Sequence, residues 1–169
     1  MLIRPLIPAD AEAYTVLRRE MLRDSPWAFA ASEENDRGLD AEGLRQSLSG
    51  PGYAIVGAFD SAPSGSALVG AVGLYRSDHA KMAHRVGVWG AYVTPSQRGR
   101  GLGIQLLSAA ADFARAWPGV DSLSLSVSVR APAALNTYLR AGFVAWGTEP
   151  RAMAWNGEQI DEVHMVKRL

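Results

Sequence analysis

The stretch Val93-Thr-Pro-Ser-Gln-Arg98-Gly99-Arg100-Gly101-Leu102-Gly103-Ile104 decides the reading of this chain. It begins as a strand end, turns through a tight glycine and arginine loop, and becomes an apolar helix with Leu106, Leu107, Ala110 and Phe113 at helical spacing. A helix start leaves backbone N–H groups without intrahelical acceptors, and the aligned peptide dipoles add partial positive charge there. Gly99, Gly101 and Gly103 carry no Cβ that would hold a bulky anion away from those groups, and Arg98 and Arg100 add fixed charge. Such a unit suits phosphate oxygens. It is neither of two other phosphate loops. No Lys-Ser or Lys-Thr follows the glycines, as a P-loop requires, and Gly99-x-Gly101-x-Gly103 lacks the spacing of the dinucleotide fingerprint.

What remains is Arg-x-x-Gly-x-Gly at Arg98, Gly101 and Gly103, directly after a strand ending in Tyr92-Val93. This pattern resembles the acetyl-CoA pyrophosphate loop of the GNAT superfamily of N-acyltransferases. A second element, Ala134-Leu135-Asn136-Thr137-Tyr138-Leu139-Arg140-Ala141-Gly142-Phe143, resembles that family's Ala-x-x-x-Tyr-x-x-x-Gly-Phe helix and following strand. Together the two motifs cover residues 89–143. The resemblance implies an α/β (α+β) fold: a mixed, mostly antiparallel central sheet of six to seven strands flanked by about four helices, with residues 1–169 forming one acyltransferase domain. It also implies transfer of the acetyl group of acetyl-CoA to a primary amine of a small molecule or peptide, by direct attack through a tetrahedral intermediate.

The order of elements extends the match. Residues 2–6 read as a short strand. Pro8 and Asp10 offer helix-start chemistry, and Ala13, Val16, Leu17 and Met21 follow at helical spacing to about Arg23. Residues 27–37 have no period and read as an irregular loop. Asp40 caps a second helix bearing Leu44 and Leu48, closed by Gly50-Pro51-Gly52. Strands are expected at 53–59 and 68–75, joined by the turn chemistry of Asp60-Ser-Ala-Pro-Ser-Gly-Ser, and a third at 83–93. The helix after the Gly/Arg loop runs to about Trp117. Residues 123–129 alternate Leu or Val with Ser, the cleanest strand pattern in the chain, and its serine face is expected to be wetter. Pro132 opens a helix to Ala141. A strand at 143–146 and a final pair flanking Asn156-Gly157, a type I′ hairpin signal, complete the chain.

Composition bounds the partners. The 169 residues carry 17 basic and 17 acidic side chains, so there is no electrostatic footprint for nucleic acid or for an anionic membrane surface. The absence of cysteine excludes disulfides and a cysteine nucleophile. Residues 1–6 lack the apolar run of a signal peptide, and no apolar stretch approaches the ~20 residues that span a bilayer. A cytoplasmic protein is expected. His79, His84 and His164 lack zinc-ligand spacing, so no metal is expected. An exposed edge strand near the C-terminus would invite pairing into a homodimer.

The resemblance assigns roles residue by residue. Arg98, Gly99, Arg100, Gly101, Gly103 and the backbone of Ile104 are expected to hold the pyrophosphate, with Arg140 toward the 3′-phosphate. Main-chain groups of Ala91, Tyr92 and Val93 are expected to line the pantetheine arm, where a backbone N–H also stabilises the oxyanion. Tyr138 occupies the family's general-acid position and would protonate the departing thiolate. Two departures stand out. Residues 84–93 contain no Asp or Glu, where many relatives use a glutamate as base. Glu33 and Glu34, in the loop between the first two helices, are therefore candidates to hold the ammonium and take its proton, with His84 a weaker one. Ala131 stands where relatives often carry an asparagine on the pantetheine arm, leaving Ser128 or Asn136 to replace it. These departures also motivate an alternative, a non-catalytic acyl-CoA-binding module or sensor.

Overall fold

A computed structural model describes residues 1–62 and 65–169. Seven strands form one sheet: β1 (Leu2–Pro5), β2 (Tyr53–Ala62), β3 (Gly65–Arg76), β4 (Arg85–Val93), β5 (Ser122–Ser128), β6 (Val144–Trp155) and β7 (Glu158–Arg168). Four helices flank it: α1 (Ala11–Asp24), α2 (Ala41–Ser49), α3 (Leu102–Arg115) and α4 (Pro132–Arg140). The strand order is β1-β2-β3-β4-β5-β7-β6. Every neighbouring pair is antiparallel except β4 and β5, which run parallel. Among the described residues no helix is long and apolar enough to cross a membrane.

The middle of the sheet is buried on both faces, which is why β2 and β3 read as nearly continuous apolar runs. Ile55, Phe59 and Ala71 pack with Tyr14, Leu17 and Met21 of α1 and Leu44 of α2. Their neighbours Val56, Val72 and Leu74 pack on the opposite face with Leu102, Leu106, Leu107 and Ala110 of α3 and Tyr138 of α4. The period-two alternation of a strand thus assigns each residue to one helical layer or the other. Asp40 caps α2 by accepting from the Glu42 N–H at 3.1 Å. Before α1, a single 3-10 turn over Pro8–Asp10 places the Asp10 carboxylate to accept from the Ile7 N–H at 2.8 Å and from the Arg4 guanidinium at 2.6 and 2.9 Å.

Three elements differ from the sequence expectation. The strand at 143–146 and the first strand of the final pair are one strand, β6, interrupted by register shifts at Ala145/Gly147 and Glu149/Met153. Gly147 and Pro150 look like breakers, but β6 is the sheet's edge, where a proline forfeits no ladder bond. Arg151 absorbs the bulge at φ 57°, its N–H donating to Asp161 Oδ1 at 2.8 Å. The serine face of β5 is wet only in the middle: Ser122 and Ser128 are both 2% exposed, while Ser126 is exposed. Beyond the expected 53–59 and 68–75, β2 and β3 continue as a paired ladder to Ala62 and Gly65. The centre of the expected turn, Pro63 and Ser64, lies outside the described residues.

Cross-strand glycines seat two aromatic rings on the β3–β4 ladder. Gly73 pairs with Trp89, and Tyr75 with Gly87. A Cβ at Gly73 would lie 2.1 Å from the Trp89 ring. Gly73→Ala is therefore expected to expel that ring and to cost about 1–3 kcal/mol by overpacking. Urea unfolding with near-ultraviolet circular dichroism checks this; unchanged stability and an unchanged aromatic signal would refute the packing.

Candidate active site

The site begins where two strands part. β4 and β5 pair only over Arg85–Ser122, Val86–Leu123 and Gly87–Ser124. Beyond Gly87 the β5-facing edge of β4 has no strand partner among the described residues. On its other edge β4 carries a bulge: Gly73 pairs with Trp89 and Ala71 with Tyr92, so Gly90 and Ala91 together face Val72. Gly90 takes φ 58°, a conformation that costs an L-residue with a Cβ. The opening is a cleft of about 490 Å³, lined on one side by Ala91, Tyr92 and Val93 and on the other by Ala131, Ala134 and Tyr138. That volume suits an extended small molecule.

At one end the cleft meets the N-terminus of α3. A 3-10 turn over Pro95–Gln97 is followed by Gly99 at φ 76° and by Gly101, the N-cap, at φ 77°. Among the described residues the backbone N–H groups of Gly99, Arg100, Gly101, Leu102 and Gly103 find no acceptor in the protein. The N–H of Ile104, expected to serve the ligand, instead donates to the Gly101 carbonyl at 3.1 Å and closes the first helical turn. A Cβ at Gly99 or Gly101 would meet nothing within 4 Å, whereas one at Gly103 would come 3.3 Å from Thr137 Cγ2 of α4. The first two glycines therefore answer to backbone conformation and the third to helix packing.

The two loop arginines diverge. Arg98 folds back: its Nε donates to the Val93 carbonyl at 2.9 Å, its Nη2 to Asp24 Oδ2, and its guanidinium carbon lies 5.2 Å from the Tyr92 ring centroid. It still lines the cleft, but it also ties the end of α1 to the end of β4. Arg100 is exposed, bonded to Gln97 Oε1 at 3.2 Å, and is not part of the lining. Burial pushes the Asp24 carboxyl up. Hydrogen bonds from Arg98 and Ser25 and the Arg98 charge outweigh it and hold the group below its ordinary value. Arg140 lies on the lining.

Tyr138 projects from α4 into the cleft with only 9% of its surface exposed, its ring edge-to-face with Phe143 at 5.8 Å. Its hydroxyl has no hydrogen-bond partner among the described residues, yet it is not one of the fully buried polar atoms. Burial pushes its phenol up to about 12, so it stays protonated at any ordinary pH.

Glu33 and Glu34 are not brought to this cleft. Glu33 is clamped on the outside by Arg23 at 2.7 and 2.9 Å, with Arg19 at 3.7 Å. Glu34 is exposed, and a hydrogen bond from Ser32 lowers its carboxyl. His84 precedes β4, at the end away from the cleft. Neither Ser128 nor Asn136 lines the cleft beside Ala131. What the irregular segment does contribute is Trp27, Ala28 and Phe29, with Ser25 just before it. The sequence signal for this was the pair of aromatics in a stretch without helical or strand period, which had no core face to belong to.

These residues fit acetyl-CoA. Unpartnered N–H groups at a dipole's positive end suit a diphosphate, an unpaired strand edge suits a pantetheine amide chain, and a protonated phenol suits a sulfur leaving group.

The acetyltransferase (GNAT) family model matches residues 17–143, and the chain belongs to that family. Solved structures agree in fold. The acetyltransferase of GNAT family from Streptococcus pneumoniae superposes with a TM-score of 0.83 at 24% identity, covering 99% of each chain. Ribosomal-protein-alanine N-acetyltransferase from Brucella melitensis gives 0.82 at 20% identity over 100% of both chains. The structure of yncA from Salmonella typhimurium with its cofactor acetyl-CoA gives 0.78 at 23% identity, covering 100% of this chain and 94% of that one. A search of curated protein sequences returns no match.

Two outcomes test the geometry. Gly101→Ala places a Cβ on a left-handed residue, which costs on the order of 1–2 kcal/mol, and should weaken coenzyme A binding in calorimetry. For Asp24, the folded carboxyl sits below its unfolded value. Its contribution is therefore present above the unfolded value of roughly 3.9 and lost as pH falls through the folded one. Asp24→Asn should flatten the acid limb of Tm against pH; an identical limb in variant and parent would remove the ion pair from the account.

Proposed function

We propose that residues 1–169 form one N-acetyltransferase domain that moves the acetyl group of acetyl-CoA directly to a primary amine of a small molecule or peptide. The observation that carries this reading is one continuous cleft that joins the unpartnered N–H groups of Gly99–Gly103 to the buried phenol of Tyr138. Acetyl-CoA supplies the activated acyl thioester. In this reading the helix start and loop amides bind the diphosphate. Main-chain groups of Ala91, Tyr92 and Val93 hold the pantetheine arm along the free edge of β4, and a backbone N–H there faces the charge developing on the acetyl oxygen. Tyr138 would donate its proton toward the sulfur as the carbon–sulfur bond breaks, and the proton that the attacking nitrogen loses on becoming an amide restores the phenol. Arg98 acts on the ligand through Val93 and Asp24 more than as a free charge.

Among the described residues no Asp or Glu lines the cleft. The amine therefore deprotonates before it enters, and the ascending limb of the pH profile belongs to the acceptor itself. Because the active form of Tyr138 is the protonated one and burial raises its phenol to about 12, that profile should show no descending limb up to about pH 11.

The missing carboxylate also favours a second reading, a non-catalytic acyl-CoA-binding module. Tyr138→Phe separates the two. For the enzyme it should lower kcat about 10²-fold or more, read as thiol release, with coenzyme binding retained. For a binding module no turnover exists to lose. Turnover that is indifferent to the substitution would remove Tyr138 from the chemistry.

A further inference from the structure

Opposite α3, the cleft is bordered by Trp27, Phe29 and Arg130, with Trp155 packed behind Trp27 and Arg130. The 3-10 turn Pro26–Ala28 leaves the end of α1 and lies against β5, across the gap between β4 and β5. From it Trp27 meets Trp155, the last residue of β6, edge-to-face at 5.7 Å and 65°. Trp155 pairs across the hairpin with Glu158. Arg130, in the turn between β5 and α4, bonds Glu158 at 2.5 Å, and its guanidinium carbon lies 5.8 Å from the Trp155 ring centroid. The wall from α1, the hairpin tip and the end of β5 are thus joined into an aromatic arch. Trp27, Phe29 and Arg130 face the cleft beneath it.

Four of the carboxylates around this arch are held by arginines, and Glu20 accepts from a neutral phenol. Glu20 accepts from the Tyr92 hydroxyl at 3.1 Å, Asp24 is held by Arg98, Glu33 by Arg23, Asp36 by Arg18 at 2.5 Å, and Glu158 by Arg130. The charged side chains lining the cleft are arginines: Arg98, Arg130 and Arg140.

We infer that the acceptor is a compact amine that enters by its amino end alone and carries no second cationic centre: Trp155, braced against Trp27, closes the cleft to an extended chain, and a lining without a carboxylate leaves a second cation unpaired. The inference rests on the acetyl transfer proposed above and narrows its acceptor. An extended peptide needs an open-ended groove in which its main chain can lie about 4.8 Å from a neighbouring strand, with side chains projecting to either side. The Trp27–Trp155 contact bridges the two walls such a groove would need. A polyamine needs a free carboxylate for its distal ammonium; among the described residues none lines the cleft.

Conjugates in which coenzyme A sulfur is joined through an acetyl bridge to an amine test this without requiring turnover. Three are compared by calorimetry with free coenzyme A: one built on a small monoamine, one on spermidine and one on a tri-alanine N-terminus. Each affinity is expressed relative to free coenzyme A in the same variant. The small conjugate should bind at least as tightly as coenzyme A, and the other two roughly tenfold or more weaker, a difference of about 1.4 kcal/mol. Trp155→Ala should restore the tri-alanine conjugate but not the spermidine one, because the substitution adds no carboxylate; failure to restore the tri-alanine conjugate would overturn the role given to Trp155. Parent protein that binds either large conjugate as tightly as the small one overturns the inference, whatever the variant does. Failure to bind free coenzyme A would instead sink the proposed function.

Discussion

The structure depends on a pairing that stops. β4 and β5 are parallel neighbours for three residue pairs and then diverge, although both strands continue. A parallel pair at the centre of a sheet would ordinarily run the full length of its strands, because each unpaired N–H or C=O away from water costs a hydrogen bond. Here a bulge at Gly90 and Ala91 bends β4 away, and β5 completes its own ladder with β7 from Ser122 to Ser128. The unpaired edge of β4 is left with groups that water or a ligand must satisfy. An extended chain with amides of its own, such as a pantetheine arm, can take the place of the missing strand.

The same divergence explains why the loop after β4 can present its amides. The splayed strand delivers the chain to a turn in which Gly99 and Gly101 both take positive φ, so the peptide planes face outward before α3 begins. The charge that the sequence places there is spent differently from what its position suggests. Arg98 reaches back to a carbonyl of β4 and to Asp24, fixing the strand end against α1. A guanidinium offers five donors in a rigid fork, and it can bond the carbonyl and carboxylate while stacking on Tyr92. Its worth to the site is geometric: it holds in register the two elements that form the walls of the cleft.

How much of this was legible in the sequence depends on how local the signal is. The Gly/Arg loop, the Asp40 cap and the Asn156-Gly157 hairpin were readable because backbone conformation dictates residue type within a few positions. Asn156 and Gly157 indeed take φ 50° and 79°. The mixed sheet, expected with six to seven strands, was implied by the family resemblance, which the order of elements extended along the chain. The continuity of β6 was not readable, since Gly147 and Pro150 punctuate locally and only the strand's place at the sheet edge makes them tolerable. The outward turn of Glu33 was hidden for a similar reason. Its partner Arg23 lies ten residues away, and pairing across an irregular segment leaves no period to detect. Trp27 and Trp155 are 128 residues apart in sequence, and nothing in either neighbourhood announces the other.

The two sides of the cleft therefore offer different chemistry to a ligand. On the α3 side the donors are main-chain groups, and side chains matter chiefly where glycine must permit a conformation or a close approach. Such a site would tolerate extensive side-chain substitution; the fold itself is shared at TM-scores near 0.8 by chains only 20–24% identical. On the α1 side the surface consists of indole, phenyl and guanidinium groups held by one another. A change at any of them alters shape or charge at once. A cofactor that stays the same and an acceptor that varies would be served by that division. If this chain transfers an acetyl group as proposed, acceptor choice would reside in the segment from Ser25 to Phe29 and in the β6–β7 hairpin, whereas the loop that first revealed the family would carry little information about it.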